Sequence, residues 1–295
     1  MADPPGELNA SNRRAAVLGR PIEHSLSPVL HRAAYDALGL TSWTYTRHDV
    51  GEAELAPFVA GLDTSWAGLS LTMPLKKVAL ACCDHVEPLA ELLGVVNTLL
   101  LQPAGNGRLV VGANTDVAGI VASLAEVRDL TARPLRSAVV LGGGATAISA
   151  LAALGSLGVR RAIVGVRTPA RSGDLVRAAH QTGLEPDVRR WGAAARAVPR
   201  ADVVIQTAPA GASDAVAAAL DAHGDRLDPA QVLLDVVYDP FPTPLDAAWE
   251  RAGGTVAPGW LMLLHQAAEQ VRLMTGKVAP VEAMRAALTD ALGAG

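Results

Sequence analysis

The chain has 295 residues, which at roughly 100–200 residues per domain suggests two domains. Half the residues are hydrophobic and 18% are charged, enough apolar material for a sizeable core and too little charge for a chain disordered throughout. A formal net charge of −4 with 3% aromatic residues argues against a basic nucleic-acid binder and against a base-stacking platform.

Residues 1–13 read as a frayed tail, and Met1-Ala2-Asp3-Pro4-Pro5-Gly6 lacks the basic and apolar regions of a signal peptide. Ala15–Gly19 reads as a strand. Ser27 then caps a helix with Pro28 at its first position, running to about Leu38. Trp43–Asp49 and Gly68–Leu71 read as strands, with Glu52–Ala60 helical between them. Adjacent Cys82 and Cys83 are poorly placed to form a disulfide with each other and too few for a zinc site, which predicts reduced helix thiols in a cytoplasmic protein. Thr98–Leu101 and Leu109–Gly112 form a hairpin turning at Gly105-Asn106-Gly107. A helix over Asp116–Val127 leads to a junction at Asp129–Arg136. Strands at Ala138–Leu141, Ala162–Val166, Val203–Gln206 and Val232–Val237 then alternate with helices near Ala145–Leu157, Arg171–Thr182 and Leu245–Ala252. That alternation predicts an α/β fold with a parallel sheet covered on both faces. Gly259–Thr275 and Val281–Leu292 close the chain as helices. Ser137–Val159 is uncharged and long enough to cross a bilayer. Its glycines and hydroxyls read better as strand, tight turn and small-residue helix, so no membrane partner is expected.

Gly142-Gly143-Gly144-Ala145-Thr146-Ala147 is a G-x-G-x-x-A turn between strand and helix. Alone it is compatible with a plain structural turn; after a strand in this alternation it points to a dinucleotide pyrophosphate. The next strand ends Val166-Arg167-Thr168, with Arg171 close behind. No acid is there for ribose hydroxyls, and the arginines suit a 2′-phosphate, predicting NADP over NAD; two solvent-facing arginines are the plainer alternative. Of 25 basic residues only Lys76, Lys77 and Lys277 are lysine. Lysine can exchange a proton where arginine cannot, so Lys76, after Thr72-Met73-Pro74-Leu75, is either a retained amine or a surface lysine. Asn114-Thr115-Asp116 and Ser25-Leu26-Ser27-Pro28 are each compatible with a helix cap, by Thr115 or Asp116 and by Ser27. Ser25 is not needed for capping, and a helix start favours a carboxylate ligand. The seven histidines show no metal-ligand spacing, and no metal is expected.

These pieces, with Val96-Asn97-Thr98, Tyr238-Asp239-Pro240 and Met262-Leu263-Leu264-His265-Gln266-Ala267, together resemble the shikimate dehydrogenase family, most of all its actinobacterial form, from about Arg14 to Leu292. The resemblance implies an N-terminal α/β substrate domain (1–115, completed by helices in 260–295) and a doubly wound, Rossmann NADP domain (116–259). It implies NADPH-dependent, reversible reduction of 3-dehydroshikimate to shikimate. Ser25 and Ser27 would bind the substrate carboxylate. Thr72, Asn97, Asp116 and Gln266 would bind ring hydroxyls, with Tyr238 nearby. Lys76 would transfer the proton, paired with Asp116. Gly142, Gly143, Gly144 and Ala145 would line the pyrophosphate, Arg167, Thr168 and Arg171 the 2′-phosphate, and Gly259 and Met262 the nicotinamide. The chain departs from the family pattern at Ser70-Leu71 and Ala113, which bear on substrate-site support, and at Ile148 and Val166, which bear on NADP binding. A quinate or aminoshikimate dehydrogenase is the nearest alternative. A catalytically silent homologue and an S-adenosylmethionine-dependent methyltransferase are the others. The sequence does not set the oligomeric state; a homodimer is the assembly kept in view.

Overall fold

The structure, a computed structural model, describes residues 12–105, 107–224 and 226–293. The expected tail lies outside the described residues as far as position 11, and so does Asn106 of the expected hairpin turn. Arg13 already belongs to a strand.

In chain order the elements begin with β1 (Arg13–Gly19), α1 (Ser27–Ala37), β2 (Trp43–Asp49), α2 (Glu52–Ala60) and β3 (Trp66–Leu71). A 3-10 turn over Val78–Cys82 leads to β4 (His85–Val86), α3 (Pro88–Leu93), β5 (Thr98–Ala104), β6 (Gly107–Ala113) and α4 (Asp116–Val127). Then come β7 (Ala138–Leu141), α5 (Ala145–Ser156), β8 (Arg161–Val166), α6 (Gly173–Gln181), β9 (Glu185–Arg190) and α7 (Trp191–Ala195). The chain continues with β10 (Val203–Gln206), α8 (Asp214–His223), β11 (Val232–Asp235), α9 (Pro244–Ala252), β12 (Thr255–Ala257), α10 (Gly259–Thr275) and α11 (Val281–Gly293).

The chain divides into two compact units. One holds the residues up to Glu87, Val96–Ala113 and those from Ala267 on; the other holds Pro88–Val95 and Asn114–Gln266. The division thus falls within α10 and just before α4, not at the expected 259/260 and 115/116. Pro88–Val95 belongs with the second unit because Leu93 and Val95 are buried in one cluster with Ile120 and Leu151.

The first unit is built on a mixed sheet in the order β2-β1-β3-β5-β6-β4. β1 runs parallel to β2 and β3, while β5 is antiparallel to β3 and β6. One face buries Val17, Ile22, Tyr35, Tyr45, Leu100 and Val111 together, and α11 packs on α1.

The second unit is built on an all-parallel sheet in the order β12-β11-β10-β7-β8-β9. Counted from β7, this is the 3-2-1-4-5-6 order of doubly wound dinucleotide folds, with the strand order reversing between β7 and β10. Alternate residues of the central strands face opposite layers. Val140, Ile205 and Leu234 pack with Ile120, Ile148 and Leu151 on one side. Val139, Val204 and Leu233 pack with Leu220, Leu245 and Trp249 on the other. Burial on both faces explains why these strands read as unbroken apolar runs. The Ser137–Val159 stretch resolves into strand, turn and α5, and no helix among the described residues is long and apolar enough to cross a membrane.

The unpredicted elements have physical reasons. β4 and β12 hold two and three residues. β9, Glu-Pro-Asp-Val-Arg-Arg, is a polar strand at the sheet edge, where charges and proline are tolerated. In α8 alanine recurs around the helix, which blurs the apolar stripe that marks a helix.

Candidate active site

In the first unit the backbone gathers three of the expected substrate-side residues at one end of the sheet. Leu71 N–H donates to the Asn97 carbonyl at 2.7 Å, and Val96 N–H donates to the Lys76 carbonyl at 2.8 Å. Thr72, Lys76 and Asn97 are thereby neighbours. Thr72 N–H also binds the Leu18 carbonyl at 2.9 Å. A Cβ on Gly19 would overlap the Thr72 methyl and lie 2.8 Å from the Met73 carbonyl oxygen, so a glycine is required for this close passage. Leu75 is fully buried and anchors the turn after β3. Of the two lysines that follow, Lys76 is half-buried and Lys77 exposed.

Ser25 and Ser27 stand at the start of α1, but not as expected. Ser27 is the first helical residue and Leu26 holds the cap position, with no side-chain cap. The Leu26 carbonyl accepts from the Val29 and Leu30 amides at 3.0 and 3.3 Å. Ser25 Oγ accepts from the Ser27 amide at 3.4 Å. The predicted Ser27 cap is thus corrected, because the chain enters the helix one residue earlier.

Beneath Asn97 lies a buried polar network that the sequence did not disclose. Gln270 donates to Thr98 Oγ1 at 3.0 Å and accepts from Ser70 Oγ at 2.7 Å. Ser70 in turn accepts from the Tyr45 hydroxyl at 2.6 Å, and Thr98 Oγ1 donates to Asn97 Oδ1 at 2.9 Å. His31 stacks on Tyr45 with centroids 3.9 Å apart and reaches Gln270 Oε1 at 3.4 Å. Burial pushes the His31 pKa down to about 3, against a weaker upward pull from its bond to Gln270. The ring is therefore neutral at pH 7. Gln270 was the missed residue. Its signal was the four-residue spacing from Gln266, which puts both glutamines on one helix face.

Both cysteines are free and half-buried; Cys82 ends the 3-10 turn and Cys83 follows it, so neither sits in an α-helix. Burial raises both thiols, Cys83 to about 11. Among the described residues no group of three or more His, Cys, Asp or Glu side chains is arranged to hold a metal ion.

In the second unit the glycine turn lies where the strand order reverses. Gly142 has φ +126°, and a Cβ there would overlap the Thr207 hydroxyl. Only glycine fits both demands. Thr207 Oγ1 itself donates to the Leu141 carbonyl at 2.9 Å, clipping β10 to β7. Gly143 and Gly144 are exposed, and a Cβ on Gly144 would meet nothing within 4 Å. Ala145 opens α5 without a side-chain cap, and Ala147 is fully buried against the strand. Open backbone amides at a helix start suit an anion of pyrophosphate size.

After β8, Arg167 and Thr168 are exposed, and a 3-10 turn over Pro169–Arg171 folds Arg171 back, its N–H bonding to the Thr168 carbonyl at 3.0 Å. α6 therefore starts at Gly173 and not at Arg171. Neither Arg167 nor Arg171 has an acidic partner among the described residues. The residues present thus fit a nucleotide carrying a 2′-phosphate.

Asp116, buried, is the first residue of α4. Thr115, one of the two residues the sequence suggested, holds the cap position of that helix but makes no side-chain cap bond. Asn114 just before it supplies a bond instead, its Oδ1 accepting from the Val117 amide at 3.3 Å. Its Nδ2 donates to the Val95 carbonyl and to Ser149 Oγ, both at 3.1 Å, tying α4 to α5. A Cβ on Gly119 would lie 2.9 Å from Gln266 Cβ and 3.1 Å from the Met262 carbonyl oxygen. A glycine there lets α4, with Asp116, pack tightly on the part of α10 that carries Met262 and Gln266. Tyr238 is half-buried in the loop after β11. Gly259 packs on that loop's backbone, where a Cβ would come within 2.5 Å of the Asp235 carbonyl oxygen.

A family model described as the shikimate dehydrogenase substrate binding domain matches residues 17–99. Another, described as the shikimate 5′-dehydrogenase C-terminal domain, matches residues 259–289. The chain is 36% identical to a shikimate dehydrogenase (NADP(+)) of Moorella thermoacetica, over 98% of this chain and 96% of the relative. Among solved structures, Mycobacterium tuberculosis shikimate dehydrogenase is 41% identical with a TM-score of 0.81, covering 94% of this chain and 99% of that one. Thermus thermophilus shikimate 5-dehydrogenase, solved with NADP(H) and shikimate, is 29% identical with a TM-score of 0.78, covering 95% and 100%. With relatedness along its whole length, a doubly wound nucleotide unit and a lysine held at the end of a mixed sheet, the chain belongs to the shikimate dehydrogenase family.

Proposed function

We propose that the chain catalyses the reversible, NADPH-dependent reduction of 3-dehydroshikimate to shikimate, with Lys76 as its proton-transfer residue. The observation that carries this reading is the near-complete match to NADP(+)-dependent shikimate dehydrogenases. The acid-free end of β8 with Arg167 and Arg171 supports the choice of NADP.

NADPH, when bound, supplies a hydride for the ring ketone. Lys76 polarises the ketone oxygen with its cationic Nζ and gives that oxygen a proton as the alkoxide develops. In the oxidation direction the same amine takes the proton back. Thr72 and Asn97, neighbours of Lys76 through the backbone, orient the ring by its hydroxyls, and Ser25 and Ser27 hold its carboxylate. Asp116, Tyr238 and Gln266, implied by the family resemblance to touch the substrate, are assigned that role here. The Gly142–Ala145 turn binds the pyrophosphate through its amides, Arg167, Thr168 and Arg171 the 2′-phosphate, and Gly259 and Met262 the nicotinamide end. Cytoplasmic work fits two adjacent cysteines that are both free.

Steady-state oxidation of shikimate and of quinate, each with NADP+ and with NAD+, tests the reading. The highest kcat/KM is expected for shikimate with NADP+. A preference for quinate, or for NAD+, would move the chain to the paralogue.

A further inference from the structure

Asp235, the last residue of β11, is fully buried, and the reaction as assigned above does not use it. Its side chain accepts the Val237 N–H at 3.1 Å, the Thr243 hydroxyl at 3.0 Å and the Gln206 amide at 3.3 Å. Val237 and Thr243 flank the loop segment that carries Tyr238. Both ends are also held from elsewhere. At the near end, Gly259 packs directly on the backbone of Asp235 and Val237, where a Cβ would lie 2.5 and 2.6 Å from their carbonyl oxygens. At the far end, Thr243 Oγ1 accepts from the Asp246 amide at 3.1 Å and Asp246 Oδ2 accepts from the Thr243 amide at 3.0 Å. Gln206 meanwhile fixes the loop after β10, donating to the Ala208 carbonyl at 2.9 Å and accepting from its amide. Keeping a carboxyl in this interior is costly: burial raises Asp235 to about 7, and nearby Asp246 adds to the rise. An apolar side chain would fill the space without that cost, so packing alone does not call for an acid.

We infer that Asp235 is a positioning residue that sets Tyr238 for the substrate by clamping both ends of the loop that carries it. This rests on the reading of Tyr238 as a substrate-side residue. The clamp joins residues 235, 237 and 243 through one side chain, with Gln206 aligning it to the neighbouring loop.

A double-mutant cycle on the full-length enzyme tests it. Asp235→Ala, Tyr238→Phe and the double variant are compared by kcat, KM for shikimate, NADP+ Kd and Tm. Asp235→Ala is expected to lower kcat/KM for shikimate by about 10- to 100-fold, as a misplaced contact does, with NADP+ Kd little changed. The double variant is expected to fall no further than Asp235→Ala alone, because coupled residues are not additive. Additive losses would overturn the positioning role while leaving Tyr238 as a substrate residue. A silent Tyr238→Phe would sink the reading of Tyr238 and the clamp with it. A lowered Tm with unchanged kcat and KM would make Asp235 structural only. Should the alanine variant not fold, Asp235→Asn decides the same cycle. It keeps one acceptor oxygen, and a smaller, still non-additive loss is expected.

Discussion

The two units hold their functional groups by different physical means. In the first, Asn97, the backbone neighbour of Thr72 and Lys76, rests on a buried network in which His31, Tyr45, Ser70, Thr98 and Gln270 satisfy one another. In the second, the glycine turn offers bare backbone, and the cations beside it, Arg167 and Arg171, are exposed. The first arrangement depends on side chains brought from distant stretches of sequence and on their protonation. The second depends on backbone geometry and on charges that stay fixed at any physiological pH. The two units should therefore fail in different ways.

The largest effect is expected at Lys76. Lys76→Arg keeps the charge but cannot release a proton near neutral pH. Loss of a positioned acid–base group costs roughly 10²–10⁴-fold in kcat, while NADPH Kd, a property of the second unit, should hold. Near-normal turnover in the arginine variant would reduce Lys76 to an electrostatic role. Lys77→Arg, on an exposed side chain, is the control and should be silent.

Arg167→Ala is the reciprocal break. It should weaken NADPH by about 1.5–3 kcal/mol, the worth of one charged hydrogen bond, with much less effect on NADH and none on the shikimate KM. Titration of both cofactors by fluorescence measures the difference. Equal weakening of NADPH and NADH would remove the 2′-phosphate from Arg167.

pH should separate the units by sign. The folded His31 pKa is about 3, below its ordinary value. The unfolded chain takes up a proton that the buried ring refuses, so stability is full above about pH 6.5 and falls on acidification. The folded Asp235 pKa is about 7, above its ordinary value. Its contribution is fully present below the usual carboxylate range and is lost as pH rises toward 7, so acidification restores it. Each slope is at most about 1.4 kcal/mol per pH unit. Hydrogen exchange, corrected for intrinsic rates, should show protection in α1 and β2 falling from pH 7 to 5 while that in β11 and α9 rises. A change of the same sign in both would break the comparison.

The same contrast governs what could be read in advance. A backbone site writes itself into the sequence, because Gly142 must be glycine and the doubly wound strands must be apolar on both faces. The turn, most of the parallel strands and the acid-free end of β8 were all legible. A side-chain network leaves only a faint local trace, such as the four-residue spacing of Gln266 and Gln270 on one helix face. Ser70 stood out only as a departure from the family pattern, and Gln270 lies 200 residues away from it. Asp235 was read as an ordinary strand residue because nothing nearby announces that its carboxyl reaches position 243. Caps failed for a related reason. Ser27 and Thr115 are residue types that cap well, but the path of the chain, set by tertiary contacts, gave the cap position of α1 to Leu26 and the side-chain bond at the start of α4 to Asn114.

The smallest expected effect concerns those caps. An N-cap serine is worth about 1 kcal/mol when its hydroxyl accepts a first-turn amide. Ser27 does not cap α1, and the bond to its amide comes from Ser25. At 3.4 Å that bond is long and weak. Ser27→Ala should therefore cost at most a few tenths of a kcal/mol in urea unfolding, well below the cap value. Ser25→Ala should cost slightly more. Both should raise the shikimate KM with kcat nearly unchanged, as expected where a contact is made equally in the ground and transition states. Fitting stability and KM on the same two variants separates the roles. A loss near 1 kcal/mol for Ser27→Ala would restore it as the cap, and a fall in kcat without a rise in KM would remove both serines from carboxylate binding.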